Sequence, residues 1–364
     1  MQGRLLTLVP WGESHGCCIG GVLVGAPPGL QVDLDMVNRE LSLRRPGRRL
    51  TTPRREEDRV EILSGVYKGY TTGAPISFMI RNRDVDSSFY HETVRYKPRP
   101  GHSDLTARLY SEGFYDYRGG GFYSGRLTAV YVAAAALLRP LLDMYRVETR
   151  AYLAELGGVE CRAAPVAREE AYTHTIYCPD EDSRRRMEDR LKEAIREGDS
   201  LGGIVEVLID GLPQGLGDPW YRLDATLAQA ILTIPAVKGV EFGHGFRLAR
   251  MRGSEANEVY GINEGRITLE RGTSGGLLGG HAAGQLRIRA VVKPTSTIRR
   301  EQKTINWRSL EEDTITGRGR HDPAIALRAV PVVEAAASII IADHLLAWTG
   351  RRAIHYHRLE HEPT

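Results

Sequence analysis

Two apolar runs, Ala129–Leu138 and Ala329–Trp348, constrain what this chain can fold into more than any other feature. The first is too short to cross a bilayer core, which takes about 20 residues. The second is long enough, but it carries Glu334, Asp343 and His344, which are costly in lipid. Both are therefore read as helices buried in a protein interior. Strand-like segments surround them: Leu5–Val9, Ile19–Val24 and Gln285–Val292. Helical spacing marks Asp33–Leu43, with Asp33 or Asp35 as N-cap, and Asp180–Glu197 is a charged amphipathic helix. Nothing between residues 59 and 330 reads as a flexible linker. The 364 residues are read as one compact α+β domain with sheets and helices in layers.

An internal echo refines this. GGVLVGAPPGL begins at Gly20 and GGIVEVLIDGLPQGL at Gly202. Each leads into a helical segment with a Leu-Asp start, at Leu34-Asp35 and Leu223-Asp224. Two such strand–turn–helix units suggest two related halves, roughly residues 1–200 and 201–350.

Composition excludes several classes of function. The formal net charge of +3 sets up no broad field toward nucleic acid or membrane. Only six of the 49 cations are lysine. Genome bias explains much of that, and planar guanidinium forks that bind phosphate or carboxylate are the functional alternative. The four cysteines (Cys17, Cys18, Cys161 and Cys178) form no C-x-x-C pair. That argues against a metal site and against a disulfide framework, and it fits a reducing, cytoplasmic compartment. The N-terminal segment has no long apolar signal region.

Chemistry-bearing residues fall in glycine-rich turns. Gly12-Glu13-Ser14-His15-Gly16 fits the G-x-S-x-G pattern of a hydrolase nucleophile, but that pattern needs a helix directly afterwards and CCIGGVLV reads as a strand. The other reading is a histidine, His15, held in a tight turn. Arg99-Pro100-Gly101-His102-Ser103-Asp104 is a second histidine turn, in which Asp104 could orient His102. Two such histidines beside arginines suit proton transfer near neutral pH. The loop RGGGFYSG from Arg118, followed by Arg126 and an alanine-rich helix, offers backbone N–H groups to an anion. Lys293-Pro294-Thr295-Ser296-Thr297 adds a cation and three hydroxyls, and Gly319-Arg320-His321-Asp322 stands before the last buried helix. Read alone, these residues imply a phosphorylated or multiply anionic small molecule and acid–base chemistry.

Eight blocks in order resemble the chorismate synthase family, across nearly the whole chain. They are GESHG at Gly12, RRPG at Arg44, TTPRREEDRVEILSGVYKGYTTGAPI at Thr51, RPGHSD at Arg99, RGGG…SGRLTA at Arg118, AVKGVEFGHGF at Ala236, KPTST at Lys293, and GRHDPAIALRAVPVVEAAASIIIADHLL at Gly319. The resemblance implies a layered β-α-β sandwich from two related halves, usually a homotetramer. It also implies an anti-1,4-elimination of phosphate from 5-enolpyruvylshikimate 3-phosphate (EPSP), with reduced FMN assisting C–O cleavage and taking the C6 hydrogen. By this resemblance His15, His102 and Asp322 are catalytic, and Arg44, Arg49, Arg99 and Arg126 bind substrate or NADPH. Flavin contacts are implied at Phe122, Tyr123, Ser124, Pro235, Ala236, Gly279, Lys293, Pro294, Thr295, Ser296, Thr297 and Arg320. No metal, nucleic acid or membrane is implied. Phe122, Tyr123 and Leu127 depart from a common family loop, GGGRSSARET, and match a subgroup with an aromatic and SGRLT. The departure keeps a catalytically silent, flavin- or anion-binding paralogue in play, and leaves open whether NADPH or an external source reduces the flavin.

Overall fold

The computed structural model describes residues 1–45, 57–263, 265–318 and 321–361, with side-chain surroundings for all of these except 266 and 352–361. An N-terminal antiparallel sheet runs in the order Thr7–Gly12, Cys18–Val24, Ile76–Arg81, Val60–Ile62. A second antiparallel sheet has the order Val237–Phe242, Leu286–Val292, Gly203–Asp210, Glu148–Leu156, Val159–Glu160. Strand Leu286–Val292 shows why it folds this way: Leu286, Ile288, Ala290 and Val292 are buried and the residues between them are not. Period-two alternation gives a sheet one apolar face, which must find a partner.

The partner is a helical layer. Helix Ala129–Met144 packs on strand Cys18–Val24, and the long helix Ala326–His361 packs on Glu148–Leu156 and Gly203–Asp210. The two helices pack on each other, so the order is sheet, helices, sheet. The fold is thus a layered α+β sandwich. Small residues set the spacing at the first interface. A Cβ on Gly21 would lie 2.6 Å from Val130 Cγ1, so only glycine lets the alanine-rich helix come this close. Leu137, Leu138 and Leu142 of that helix are fully buried, each contributing about 1.5–3 kcal/mol relative to exposure.

Two helical stretches, Arg118–Met144 and Ala326–Arg351, are long and apolar enough to cross a bilayer, but 72% and 94% of their most apolar windows are buried inside the fold. The charged residues of the second run tie the tertiary structure together. Asp343 accepts the backbone N–H groups of Arg4, Leu5 and Leu6 at 2.9, 2.7 and 2.7 Å. Glu334 accepts from Arg168 and Tyr172. The two echoed segments take similar places: Cys18–Val24 and Gly203–Asp210 are interior strands, each followed by a helix of the middle layer, Leu34–Arg44 and Leu223–Leu232.

Two expectations need correction. The first helix is Leu34–Arg44, one residue on from its expected span, with Asp33 accepting from the backbone of Asp35 and Met36. Along the chain Arg44 opens a basic, proline-punctuated run, Arg44 to Asp58, of the kind expected as a solvated loop or arm, but it is a buried residue of the helix's last turn. Secondly, Cys161 and Cys178 form a disulfide across 17 residues of sequence, with Cα atoms 5.9 Å apart. The tertiary fold brings the end of Val159–Glu160 beside the approach to helix Glu181–Arg196, which no spacing rule reveals. Closing such a loop stabilises a fold by about 3 kcal/mol.

Candidate active site

One cavity of about 660 Å³ opens between the edge of the helical layer and the glycine-rich loops, within the range of about 300–1,000 Å³ usual for small-molecule sites. Its lining joins segments far apart in sequence: His15, Arg44, Arg99, His102, Phe122–Arg126, Pro235-Ala236, Lys293–Thr297 and Asp322. All three expected catalytic residues thus share one space.

The glycine loop runs between the two imidazoles. Gly119, Gly120 and Gly121 have φ of 60°, 84° and 54°, a left-handed region that favours glycine. A Cβ on Gly119 would lie 2.3 Å from His15 Cδ2, and one on Gly120 would lie 2.9 Å from His102 Cε1. Any side chain at either position would displace a histidine. Ser14, 1% exposed, donates its hydroxyl to the Gly119 carbonyl at 3.0 Å, and strand Cys18–Val24 follows instead of a helix. That removes the hydrolase reading. His15 Nδ1 lies 2.8 Å from Ser87 Oγ, and its ring makes a T-shaped contact with Tyr90, centroids 5.0 Å apart.

His102 is built differently. Its Nδ1 lies 2.7 Å from Asp104 Oδ1. A carboxylate only accepts, so Nδ1 carries the proton and donates. Arg99 Nη2 lies 3.0 Å from Nδ1 and 3.2 Å from Nε2, and with Nδ1 donating to Asp104 only Nε2 can accept from it. Arg99 also holds Asp104 through Nε and Nη2, both at 2.7 Å. Burial foremost, then the Arg99 charge, presses the His102 pKa below its ordinary value, with Asp104 opposing. Burial alone would raise Asp104, but its bonds to Arg99 and His102 hold its carboxyl well below the usual carboxylate range. The cavity thus keeps His102 neutral, with one nitrogen committed.

A cationic cluster forms the opposite wall. Arg44 donates from Nε to Thr128 Oγ1 at 3.2 Å and from Nη2 to the Gly125 carbonyl. Arg126 donates to Asn82 Oδ1 at 2.9 Å and to Asp58. Arg328 donates to Asp322 Oδ2 at 2.6 Å and to the Arg44 carbonyl at 3.2 Å. Burial and the Arg328 charge hold the Arg44 pKa well below its ordinary value. Arg44 Nη1 and Asp58 Oδ2 are buried without a hydrogen-bond partner among the described residues, 3.8 Å apart. Buried polar atoms are seldom left so unless a ligand or water completes them.

The third wall is Lys293–Thr297. Lys293 Nζ donates to Ser296 Oγ at 2.9 Å and to the Gly101 carbonyl, and burial lowers its pKa. Thr295 Oγ1 is buried without a partner among the described residues. Ala236, whose carbonyl accepts from Lys293 N at 2.9 Å, holds φ of 73°, a strained backbone of the kind that concentrates at functional sites.

Arg49 and Arg320 lie outside the described residues. Gly279 does not join the cavity lining; it stands in the turn between Leu277–Leu278 and His281–Ala282, where a Cβ would meet open space. Lining residues to which the motifs assign no role include Tyr90, Lys238, His321 and Arg328. His321 donates from Nε2 to the Arg318 carbonyl at 2.7 Å, and burial lowers its pKa to about 4. His321 and Arg328 lie inside a quoted block, so their neighbourhood to Asp322 was the available signal. Tyr90 had none.

Fold and site together define an enzyme domain that receives a small polyanion beside two differently poised imidazoles. The comparisons agree. The chorismate synthase family model matches residues 6–346. Chorismate synthase of Aeropyrum pernix is 49% identical over 350 residues, 94% of this chain and 92% of that protein. That of Thermococcus gammatolerans is 45% identical, covering 96% and 99%, and that of Archaeoglobus fulgidus 47%, covering 94% and 96%. A crystal structure of chorismate synthase superposes with a TM-score of 0.75 at 27% identity, covering 95% of this chain and 93% of the other. The chain belongs to the chorismate synthase family, and its activity is that family's: a carbon–oxygen lyase of aromatic amino acid biosynthesis that forms chorismate from EPSP.

Proposed function

We propose that the reaction runs in this cavity with reduced FMN as cofactor, His15, His102 and Asp322 as the proton-handling groups, and the arginine wall as the anion clamp. The observation that carries the reading is the convergence of all these groups on one space. EPSP bears a phosphate and two carboxylates, and bidentate guanidinium forks suit each. Arg44, with an open Nη1, Arg99 and Arg126 are assigned to it; Arg49 is a further candidate.

The residues fit a flavin. Phe122 and Tyr123, half-exposed and edge to face at 6.2 Å, offer apolar surface to a planar ring. The unpartnered Thr295 hydroxyl, Lys293 and Lys238 offer hydrogen bonds and charge to its phosphate. Ser124, Pro235, Ala236, Pro294, Ser296 and Thr297 complete the contact, with Arg320 and Gly279 as further candidates. When bound, reduced FMN supplies electron density for C–O cleavage and an acceptor for the C6 hydrogen.

The chain orients, shields and moves protons. His102 Nδ1–H is fixed on Asp104, so protonation falls on Nε2. A phosphate dianion raises its proton affinity, opposing the burial and Arg99 effects, and so arms it to protonate the departing phosphate. His15, its ring set by Ser87 and Tyr90, holds a proton near the flavin. Asp322, steadied by Arg328, takes one up. NADPH as reductant, a homotetramer and a cytoplasmic site of action belong to the same reading.

The test is purified protein with EPSP and reduced FMN under anaerobic conditions, followed at the absorbance of chorismate. Turnover that needs reduced flavin supports the cofactor assignment. Flavin binding without turnover rejects the catalytic roles. Replacing reduced flavin by oxidised FMN and NADPH decides the reductant.

A further inference from the structure

Asn82 follows directly on strand Ile76–Arg81 and is not part of the cavity lining. Even so, its side chain bonds two of the groups that matter most. Nδ2 donates to the carbonyls of Glu13 and Gly16, at 3.1 and 3.0 Å. Oδ1 accepts from Arg126 Nε at 2.9 Å. Its backbone N–H donates to the Cys17 carbonyl at 3.0 Å. Carbonyls only accept and a guanidinium only donates, so one orientation of the carboxamide satisfies all three partners and the flipped one satisfies none.

The two carbonyls bracket Ser14-His15 on either side. We infer that Asn82 is a positioning residue that locks the His15 turn to the Arg126 guanidinium, so that one carboxamide sets the spacing between the flavin-side imidazole and the substrate-side anion clamp. The rest of the segment works to the same end. Ser87 meets His15 Nδ1 and Tyr90 meets its ring. The Arg81 carbonyl takes Arg126 Nη2 at 3.3 Å. A single strand end and the loop after it therefore hold both partners. Asparagine alone among small polar side chains carries a two-proton donor and an acceptor at this reach. Aspartate would keep the Arg126 bond but face two carbonyls with negative charge, and alanine would release both ends.

The inference rests on the roles proposed above for His15 and Arg126, and the experiment separates the two. Asn82→Asp, Asn82→Ala and His15→Ala are compared by steady-state kinetics with EPSP and reduced FMN, rates being referred to folded enzyme, together with the pH profile of kcat. Asn82→Asp is expected to hold KM for EPSP within about threefold while kcat falls roughly 10- to 100-fold, with a displaced pH limb. Asn82→Ala should move both kcat and KM. Equal KM in both variants, or an unchanged kcat and pH profile with only a lower melting temperature, overturns the coupling. If His15→Ala turns over normally, the catalytic reading of His15 fails instead. Should an Asn82 variant not fold, Asn82→Ser is used, and NMR titration of the His15 imidazole against wild type gives the readout: an unchanged His15 titration overturns the inference.

Discussion

The molecule contains two largely buried arginine clusters made of the same chemistry and put to opposite uses. In the first, Arg168 binds Glu334 through Nε and Nη2 at 2.7 and 3.0 Å, and Glu40 through Nη1 and Nη2 at 3.0 and 2.6 Å. Tyr172 adds its hydroxyl to Glu334 at 2.6 Å. One cation faces two carboxylates and every guanidinium nitrogen is matched. In the second, three guanidinium groups (Arg44, Arg126, Arg328) face two carboxylates (Asp58, Asp322), and one nitrogen and one oxygen are left over. The first cluster joins helices and closes on itself. The second carries surplus positive charge and opens on the cavity. An arginine whose every nitrogen is matched serves the architecture. A buried charge in excess destabilises the empty fold, and an arriving anion offsets that cost.

The contrast can be broken by substitution. The largest effect belongs to the cavity: His102→Ala should lower turnover roughly 10²–10⁴-fold and leave the melting temperature nearly unchanged, by kinetics and calorimetry on the same sample. Arg168→Ala should do the reverse. It leaves buried Glu334 and half-buried Glu40 without their partner, so unfolding free energy should drop by about 3–5 kcal/mol, while the kcat of the folded fraction stays within about threefold, a margin that applies because Arg168 touches no group of the reaction. If Arg168→Ala abolished activity in folded protein, the two clusters would not be separable.

Arg44→Met sharpens the point. It removes a charge whose ionised form the fold disfavours, so stability in denaturant should change by about 1 kcal/mol or less, because the lost hydrogen bonds and the relieved burial oppose each other. KM for EPSP should rise roughly 10- to 100-fold, since a hydrogen bond to a charged group is worth about 1.5–3 kcal/mol. A large loss of stability with unchanged KM would put Arg44 with Arg168.

The smallest expected effect is a pH slope. His321 in the cavity and His344 in the helical layer both have pKa values lowered to about 4, chiefly by burial. Each takes up a proton near pH 6.5 when unfolded and resists it when folded. Stability is therefore complete above about pH 6.5 and falls as the pH drops toward 4, by on the order of 2–3 kcal/mol at most for each. Inorganic phosphate should flatten the cavity's share of this slope and leave that of His344, which stacks on Tyr221 and meets Thr226 Oγ1 at 2.9 Å. Melting curves between pH 7 and 4.5 with and without phosphate give the answer. No slope at all would reject both histidines.

Much of this was legible in the chain. The two apolar runs could only be buried helices, and their charged residues, Glu334 and Asp343, marked tertiary contacts instead of lipid. GESHG and RPGHSD placed both imidazoles, because glycine turns and histidines are local features. Other features were not legible. The Cys161–Cys178 bond depends on two segments meeting across a fold. Tyr90 enters the cavity from a segment without a motif. Asn82 looks like a loop residue, and only its three partners, drawn from Glu13, Gly16 and Arg126, give it a role. Arg44 read as part of a solvated basic run because charge patterns are judged along the chain, whereas burial is decided across it.

The sequence by itself determined the kinds of element, the glycine turns that let backbone pass between His15 and His102, and the family. Those depend on side-chain pattern and on conformations available to single residues, which are properties of short stretches. The tertiary structure alone decided which guanidinium groups are fully matched and which are left with an open nitrogen, and which nitrogen of His102 is committed. Those depend on distances between groups tens or hundreds of residues apart, since electrostatic energy follows separation in space and burial, not position in the chain.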